Sequence, residues 1–139
     1  MSEEKSFNDG IIEEFRGNGG KVGGMFEGIS MLLLTATGAK TGRRLTSPLA
    51  HTRDGDRFVV IASNGGADKH PSWYFNVLAN PSVTVEIGDE TFEAKATAHP
   101  EGPERDRLFE AQANLIPGFW EYTKQTSRLI PVVTLDRIS

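Results

Sequence analysis

Residues 31–48 constrain the fold of this chain more than any other stretch. Residues 31–34 form an apolar run that is typical of a buried β-strand, and a second strand-like run begins at Leu45. Between the two runs, Gly38 and Gly42 bracket a turn, and glycine allows the backbone to come close to a ligand. The sequence therefore predicts two strands joined by a tight turn that a ligand could reach.

The same stretch carries a local excess of positive charge. The whole chain is acidic, with a formal net charge of −4, yet residues 28–53 contain no Asp or Glu. Lys40, Arg43, Arg44 and Arg53 all fall in this window. A positive window in an acidic protein predicts a site for a small anion. The alternative is a solvated hairpin tip with ordinary surface cations.

The overall composition excludes several kinds of site. The chain has 139 residues, and we predict a single domain over residues 8–139 after a disordered lead over residues 1–7. It has no cysteine for disulfides or thiolate-ligated metals, and its three histidines lack the spacing of metal ligands, so no metal site is predicted. The acidic charge argues against general nucleic-acid binding. No apolar run suits a membrane span or a signal peptide, so we expect a cytoplasmic protein.

Strand and helix patterns follow one another along the chain. Asp54-Gly55-Asp56 and Gly88-Asp89 predict hairpin turns, and Pro48 should place the second strand at an edge. Six strands, mostly linked by hairpins, predict an α+β fold built on a small antiparallel barrel with helical cover. The first predicted strand begins at residue 31, and the other five cover residues 45–53, 57–63, 82–87, 91–99 and 129–135. The predicted helices start near residues 8, 71, 100 and 118, and a glycine-rich connector covers 19–28.

The sequence also lacks the common motifs of protein-borne chemistry. Ala39 stands before Lys40, where the phosphate-binding loop of nucleotide hydrolases requires glycine. Ser63 is followed by Asn64 and Gly65, but no glycine stands two residues before it, so it is not a nucleophile elbow. His70, next to a proline, is interpreted as a helix-start or surface residue. If the chain is an enzyme, we expect a bound cofactor to carry the chemistry.

Four motifs together resemble one known family. They are GAKTGR at 38–43, DGD at 54–56, ASNGG at 62–66 and HPSWYFN at 70–76. Over about residues 8–138 the chain resembles the deazaflavin-dependent nitroreductases, which are also described as F420H2-dependent quinone reductases. The resemblance implies a split antiparallel β-barrel related to FMN-binding reductases, with coenzyme F420 as cofactor. It also implies hydride transfer from F420H2 to an electron-poor acceptor, first a quinone, with nitroaromatics and activated enones as other options.

The resemblance also implies a set of cofactor-binding positions. The cationic turn, residues 38–43, should hold the phosphate and tail of the cofactor, and the second strand should line its deazaflavin ring. The end of the third strand and the start of the helix near residue 71 should complete the site. Ser63 is the implied catalytic residue, which would polarise the ring or relay a proton; the alternative is a structural serine. The implied cofactor-binding residues are Ala39, Lys40, Thr41, Arg44, Leu45, Thr46, Ser47, Pro48, Leu49, Ala50, Ile61, Ala62, Ser63, Asn64, Ser72, Trp73, Tyr74, Phe75 and Asn76.

A substrate pocket is implied at Ile116, Phe119 and Tyr122. This segment is more apolar than its counterpart in the best-known family members, which favours a flat, apolar quinone over nitroimidazoles. Two other functions stay open: an FMN-binding split-barrel reductase, and a non-catalytic carrier of F420 or flavin. A homodimer and a weak peripheral contact with the inner face of a membrane also stay open.

Overall fold

Seven antiparallel strands form one curled sheet in the computed structural model, which describes residues 3–20, 23 and 29–138. Four α-helices in the same residues pack around it. The strands are β1 (Met31–Thr37), β2 (Arg44–Ala50), β3 (Thr52–Asp54), β4 (Arg57–Ile61), β5 (Ser82–Ile87), β6 (Glu90–His99) and β7 (Val132–Arg137). The helices are α1 (Glu3–Gly17), α2 (Ser72–Ala79), α3 (Pro103–Leu115) and α4 (Gly118–Thr123), and a 3₁₀ turn covers Asn64–Gly66.

The strand order explains the curl of the sheet. The order is β2-β1-β5-β6-β7-β4-β3, so the two edge strands follow one another in the chain. Only His51 separates them, and the chain therefore passes directly from one edge of the sheet to the other. This connection requires the sheet to bend until its edges approach. The result confirms the predicted split antiparallel barrel with flanking helices.

The strand predicted at 45–53 is the main departure from the sequence pattern. It is divided at His51, because β2 pairs with β1 whereas β3 pairs with β4. The described sheet consequently has seven strands, where the pattern predicts six. Pro48 lies in an edge strand, as predicted, where a missing N–H is tolerated.

Alternating side chains divide the apolar residues between two faces of the sheet. Leu32 and Leu34 of β1 face an interior cluster that Trp73 of α2 joins. Leu33 faces the opposite way, against Phe15 of α1. The outward residues of β4 likewise pack against α3 and α4. Helix α2 therefore fills the inside of the curl, and the other helices cover its outside.

Helix α1 docks on the outer face, as the sequence predicts. Ile11 and Phe15 are buried in a cluster with Met31 and Leu33, so these side chains are out of reach of a membrane surface. In the part of the chain that the structure describes, no helix is both long enough and apolar enough to cross a bilayer.

Several element bounds differ from the predicted ones. Helix α1 begins at Glu3, whereas the sequence pattern predicts a start near residue 8. Strand β4 ends at Ile61, α3 begins at Pro103 and β7 begins at Val132, just after Pro131. The predicted connector over 19–28 lies largely outside the described residues.

Candidate functional site

A cavity of about 650 Å³ lies between the end of β2, the end of β4 and the start of α2. The end of β4 and the start of α2 follow each other closely in sequence, and the curl of the sheet brings the end of β2 beside them. The lining residues are Ser47, Pro48, Leu49, Ile61, Ser63, Asn64, Lys69, His70, Pro71, Ser72 and Trp73.

Many of the predicted cofactor positions meet in this cavity. Residues 47–49 come from the predicted ring-lining strand, Ile61, Ser63 and Asn64 from the opposite strand end, and Ser72 and Trp73 from the helix start. Lys69, His70 and Pro71 also line it, although the sequence analysis did not assign them. The available signal was the HPSWYFN motif, because His70 and Pro71 are its first two residues and Lys69 directly precedes it.

The cavity combines apolar walls with hydrogen-bond donors. Pro48, Leu49, Ile61 and Trp73 supply apolar surface, and three serines and Asn64 supply polar groups. Lys69 adds a positive charge, and none of the described lining residues is acidic. Such a lining suits a flat ring system that carries polar edges and an anionic substituent.

Two residues at the rim of the cavity have a positive φ. Asn64 has a φ of 50° and its side-chain amide donates to the carbonyl of Lys69 at 3.1 Å. Gly66 has a φ of 85°, and a Cβ there would lie 2.7 Å from Oε1 of Gln125. The 64–69 segment is therefore held in a conformation that asparagine and glycine adopt most easily.

The cationic turn is anchored to the helix that borders the cavity. The N–H of Ala39 donates to Oδ1 of Asn76, which is buried in α2, at 2.9 Å. Within the turn, the N–H of Gly38 donates to the carbonyl of Arg43 at 2.7 Å. Lys40 is exposed on this turn and can reach out to an anion. One buried amide thus fixes the position of the turn relative to the cavity.

The four cations of the acid-free window do not form one patch. Arg44 donates to Oγ1 of Thr37 at 2.9 Å and to Oγ1 of Thr84 at 2.6 Å, on the outer face of the sheet. Arg53 lies over the ring of Phe58, at the other edge of the sheet. Lys40 and Arg43 stay together on the turn, whereas Arg44, the first residue of β2, points to the outer face of the sheet.

The other predicted positions lie outside the cavity lining. Ala50 packs against the outer clusters, Ala62 and Tyr74 are buried in the interior cluster, and Phe75 is half exposed. Thr46 bonds to Thr35. The predicted positions that do not line the cavity are Ala39, Lys40, Thr41, Arg44, Leu45, Thr46, Ala50, Ala62, Tyr74, Phe75 and Asn76.

The predicted substrate segment also lies outside this cavity. Phe119 is buried in the cluster formed by α3, α4 and the outer side of β4, and Ile116 and Tyr122 pack against the same cluster. None of the three is among the cavity-lining residues. Helix α4 does contact the 64–66 turn, so this segment supports the cavity rim from behind.

The chain is similar to known proteins over most of its length. The family model described as F420H(2)-dependent quinone reductase matches residues 11–137. An F420H(2)-dependent quinone reductase of Mycobacterium tuberculosis H37Rv is 39% identical over 126 residues, which cover 88% of this chain and 85% of that protein. A solved structure titled as an F420-H2 dependent reductase (FDR-A) is 40% identical, with a TM-score of 0.70, and covers 77% of this chain and 94% of that one.

Another solved structure, described as a domain-swapped dimer, is also 40% identical with a TM-score of 0.70. It covers 77% of this chain and 80% of that one. The match of the family model to nearly the whole chain confirms the resemblance seen in the motifs. The chain belongs to the F420H(2)-dependent quinone reductase family, a family of oxidoreductases whose cofactor is reduced coenzyme F420.

Proposed function

We propose that this protein binds F420H2 in the 650 Å³ cavity and reduces a quinone there. The observation that carries the proposal is the lining of the cavity. It combines apolar side chains, uncharged hydrogen-bond donors and one lysine, and none of the described lining residues is acidic. The family to which the chain belongs supports both the cofactor and the quinone as acceptor class.

The residues present fit a deazaflavin cofactor. The cavity volume of about 650 Å³ lies within the range of roughly 300–1,000 Å³ that is common for cofactor and ligand pockets. Pro48, Leu49, Ile61 and Trp73 would cover the faces of a ring, and the serine hydroxyls would bond to its polar edges. Lys69 and the exposed Lys40 would hold the anionic tail by charge.

When bound, F420H2 supplies a hydride, and the chain has to orient the reactants and exclude water. Pro48, Leu49, Ile61 and Trp73 would keep water from the faces of the ring against which they lie. Ser63, whose carbonyl is fixed by Arg128 at 2.8 Å, would hold its hydroxyl at the ring or acceptor and act as a polarising group or proton relay. Ile116, Phe119 and Tyr122 would shape the acceptor side by supporting the rim.

A binding titration tests the cofactor assignment. Trp73 lines the cavity and Trp120 does not, so a Trp120→Phe variant reports on the cavity tryptophan alone. We expect F420 to quench its fluorescence. We expect Lys40→Ala and Lys69→Ala each to raise the Kd roughly tenfold, because each removes a charge-assisted contact with the anionic tail.

Lys95→Ala is the matched control, because Lys95 is exposed on β6 and does not line the cavity. An equal loss of affinity in all three variants would indicate a general charge effect and not a tail site. Absence of quenching would overturn the cofactor site. Tight binding without turnover would favour the carrier function, and flavin absorbance in the purified protein would favour the FMN reductase.

We also propose that the protein forms a homodimer. Phe75 and Leu78 lie three residues apart on α2, and both are about half exposed. A structure 40% identical to this chain is described as a domain-swapped dimer. Light scattering is expected to give the mass of two chains for the wild type and a lower average mass for Leu78→Glu. A monomeric wild type would rule the dimer out.

A further inference from the structure

Arg128 binds the wall of the cofactor cavity from behind. Its guanidinium donates from Nε to the carbonyl of Ala67 at 2.8 Å and from Nη2 to the carbonyls of Ser63 and Ala62 at 2.8 and 3.3 Å. Its Nη1 lies 2.9 Å from Nδ1 of His70. One side chain therefore ties together both ends of the segment 62–70, which includes four of the cavity-lining residues: Ser63, Asn64, Lys69 and His70.

The contact with Arg128 fixes which nitrogen of His70 carries the proton. A guanidinium has donors only, so Nδ1 of His70 has to accept in this contact. A neutral imidazole whose Nδ1 accepts carries its hydrogen on Nε2. His70 lines the cavity, and Nε2–H is then the one N–H donor that its neutral ring has.

The surroundings of His70 also favour the neutral ring. Burial, and then the charge of Arg128, lower the pKa of His70 below its ordinary value. The rings of Tyr74 and Phe75 pack against it with centroid distances of 4.9 and 5.7 Å. The nearest charges in sequence are Lys69 and Asp68, and Asp68 interacts electrostatically with Arg128.

We propose that Arg128 is a positioning residue for the cofactor cavity, which acts through His70. It holds the 62–70 wall in place and keeps the proton of His70 on Nε2, so that the cavity gains a donor for a carbonyl or anionic oxygen of the bound cofactor. The role of His70 as a donor to the cofactor rests on the proposed function, since it assumes that F420 binds in this cavity.

Lysine cannot fill the same role. The planar guanidinium of Arg128 serves three carbonyls and one imidazole at once, whereas an ammonium group is a single point on a flexible stem. Arg128→Lys should therefore restore only part of what Arg128→Gln loses. It also gives a second variant if Arg128→Gln folds poorly.

The first readout is the titration of His70, followed by NMR of its ring protons. The chain has three histidines, so His70→Ala assigns the signal by its disappearance. We expect the titration midpoint of His70 to move to higher pH in Arg128→Gln, because the variant removes both the donor to Nδ1 and the nearby positive charge. Arg16→Gln is the control, since Arg16 of α1 pairs with Glu86 of β5, does not line the cavity and should leave the midpoint unchanged.

The second readout is the affinity for F420 in a double-mutant cycle. Arg128→Gln and His70→Ala should each raise the Kd about tenfold, and the double variant should bind no more weakly than the weaker-binding single variant. The reason is that Arg128→Gln no longer holds the proton on Nε2 of His70, and His70→Ala deletes that same donor. Effects that multiply in the double variant would overturn the action of Arg128 through His70. An unchanged His70 midpoint in both Arg128→Gln and Arg128→Lys would overturn the contact itself.

The two proposals fail in different ways. If the wild type does not bind F420, the proposed function is wrong, and the His70 midpoint alone then decides whether Arg128 holds His70. If the wild type binds F420 and His70→Ala leaves the Kd unchanged, the proposed function stands and the role of Arg128 through His70 is wrong.

Discussion

Replacing Asn76 with leucine is expected to raise the Kd for F420 about tenfold and to lower the free energy of unfolding by about 1 kcal/mol. Oδ1 of Asn76 accepts the N–H of Ala39 at 2.9 Å, and leucine offers no acceptor. The turn that carries Lys40 would lose its fixed position beside α2. Ordering the turn again on binding costs free energy, which appears as weaker affinity.

Urea denaturation and the fluorescence titration measure the two effects separately. Asn80→Ala is the matched control in the same helix end, because the contact of Asn80 with Asn76 is made by its backbone N–H and survives the substitution. If Asn76→Leu lost stability but kept the wild-type Kd, the cationic turn would have no part in cofactor binding.

The wild type is expected to lose stability as the pH falls from 6.5 to 4, and replacing His51 with leucine is expected to abolish this loss. His51 is 8% exposed, its Nδ1 has no hydrogen-bond partner in the described part of the chain, and its ring meets Phe58 edge-on. Burial, followed by the charge of Arg53, lowers the pKa of His51 to about 4. Between these two pKa values the ring of His51 is therefore neutral in the folded protein and protonated in the unfolded chain.

The sign follows from proton linkage. Between pH 6.5 and about 4 the unfolded state binds the proton and the folded state does not, so acid stabilises the unfolded chain. The free energy of unfolding should fall by about 3 kcal/mol across this range in the wild type, relative to His51→Leu. At pH 7 the variant should be at least as stable, because leucine leaves no buried nitrogen without a partner.

Other groups do not obscure this comparison. His70 and the carboxylates are present in both proteins and cancel. Arg107 and Arg57 hold the pKa of Asp54 well below its usual value of 3.8, so the stabilisation from that carboxylate is lost only in stronger acid. Urea unfolding at pH 7, 5.5 and 4 measures the difference, and parallel curves for the two proteins would contradict the assignment to His51.

Local patterns predicted the individual strands and turns well. Strand β5 covers Ser82–Ile87, as its alternating residues predict, and Gly55 and Gly88 occupy the hairpin turns with φ values of 64° and 58°. These features depend on neighbours in sequence. The break at His51 depends on which strands lie beside each half of the 45–53 run, and that is a property of the whole sheet.

Part of the cavity lining was predictable where a motif forms the wall. Ser63 and Trp73 belong to the motifs at 62–66 and 70–76, and both line the cavity. The contact between Arg128 and His70 joins residues 58 positions apart, and no local pattern indicates it. The positive window is also divided by the fold, because Arg44 bonds to Thr84 on the outer face of the sheet and Arg53 lies over Phe58 at its other edge.

The predicted substrate segment has surroundings that its sequence does not specify. The side chains of Ile116, Phe119 and Tyr122 suit an acceptor pocket and suit a hydrophobic cluster equally well. Their place is decided by α3 and the outer side of β4, which offer them a core to join. Sequence alone does not distinguish these two uses of an aromatic segment.

The oxidation of F420H2 in the presence of menadione, followed by absorbance, tests the central claim most directly. The wild type is expected to catalyse the reaction well above the protein-free rate, and Lys69→Ala is expected to need a higher cofactor concentration to reach the same rate. If the folded wild type binds F420H2 but oxidises it no faster than buffer with menadione or any other quinone, it is not a quinone reductase.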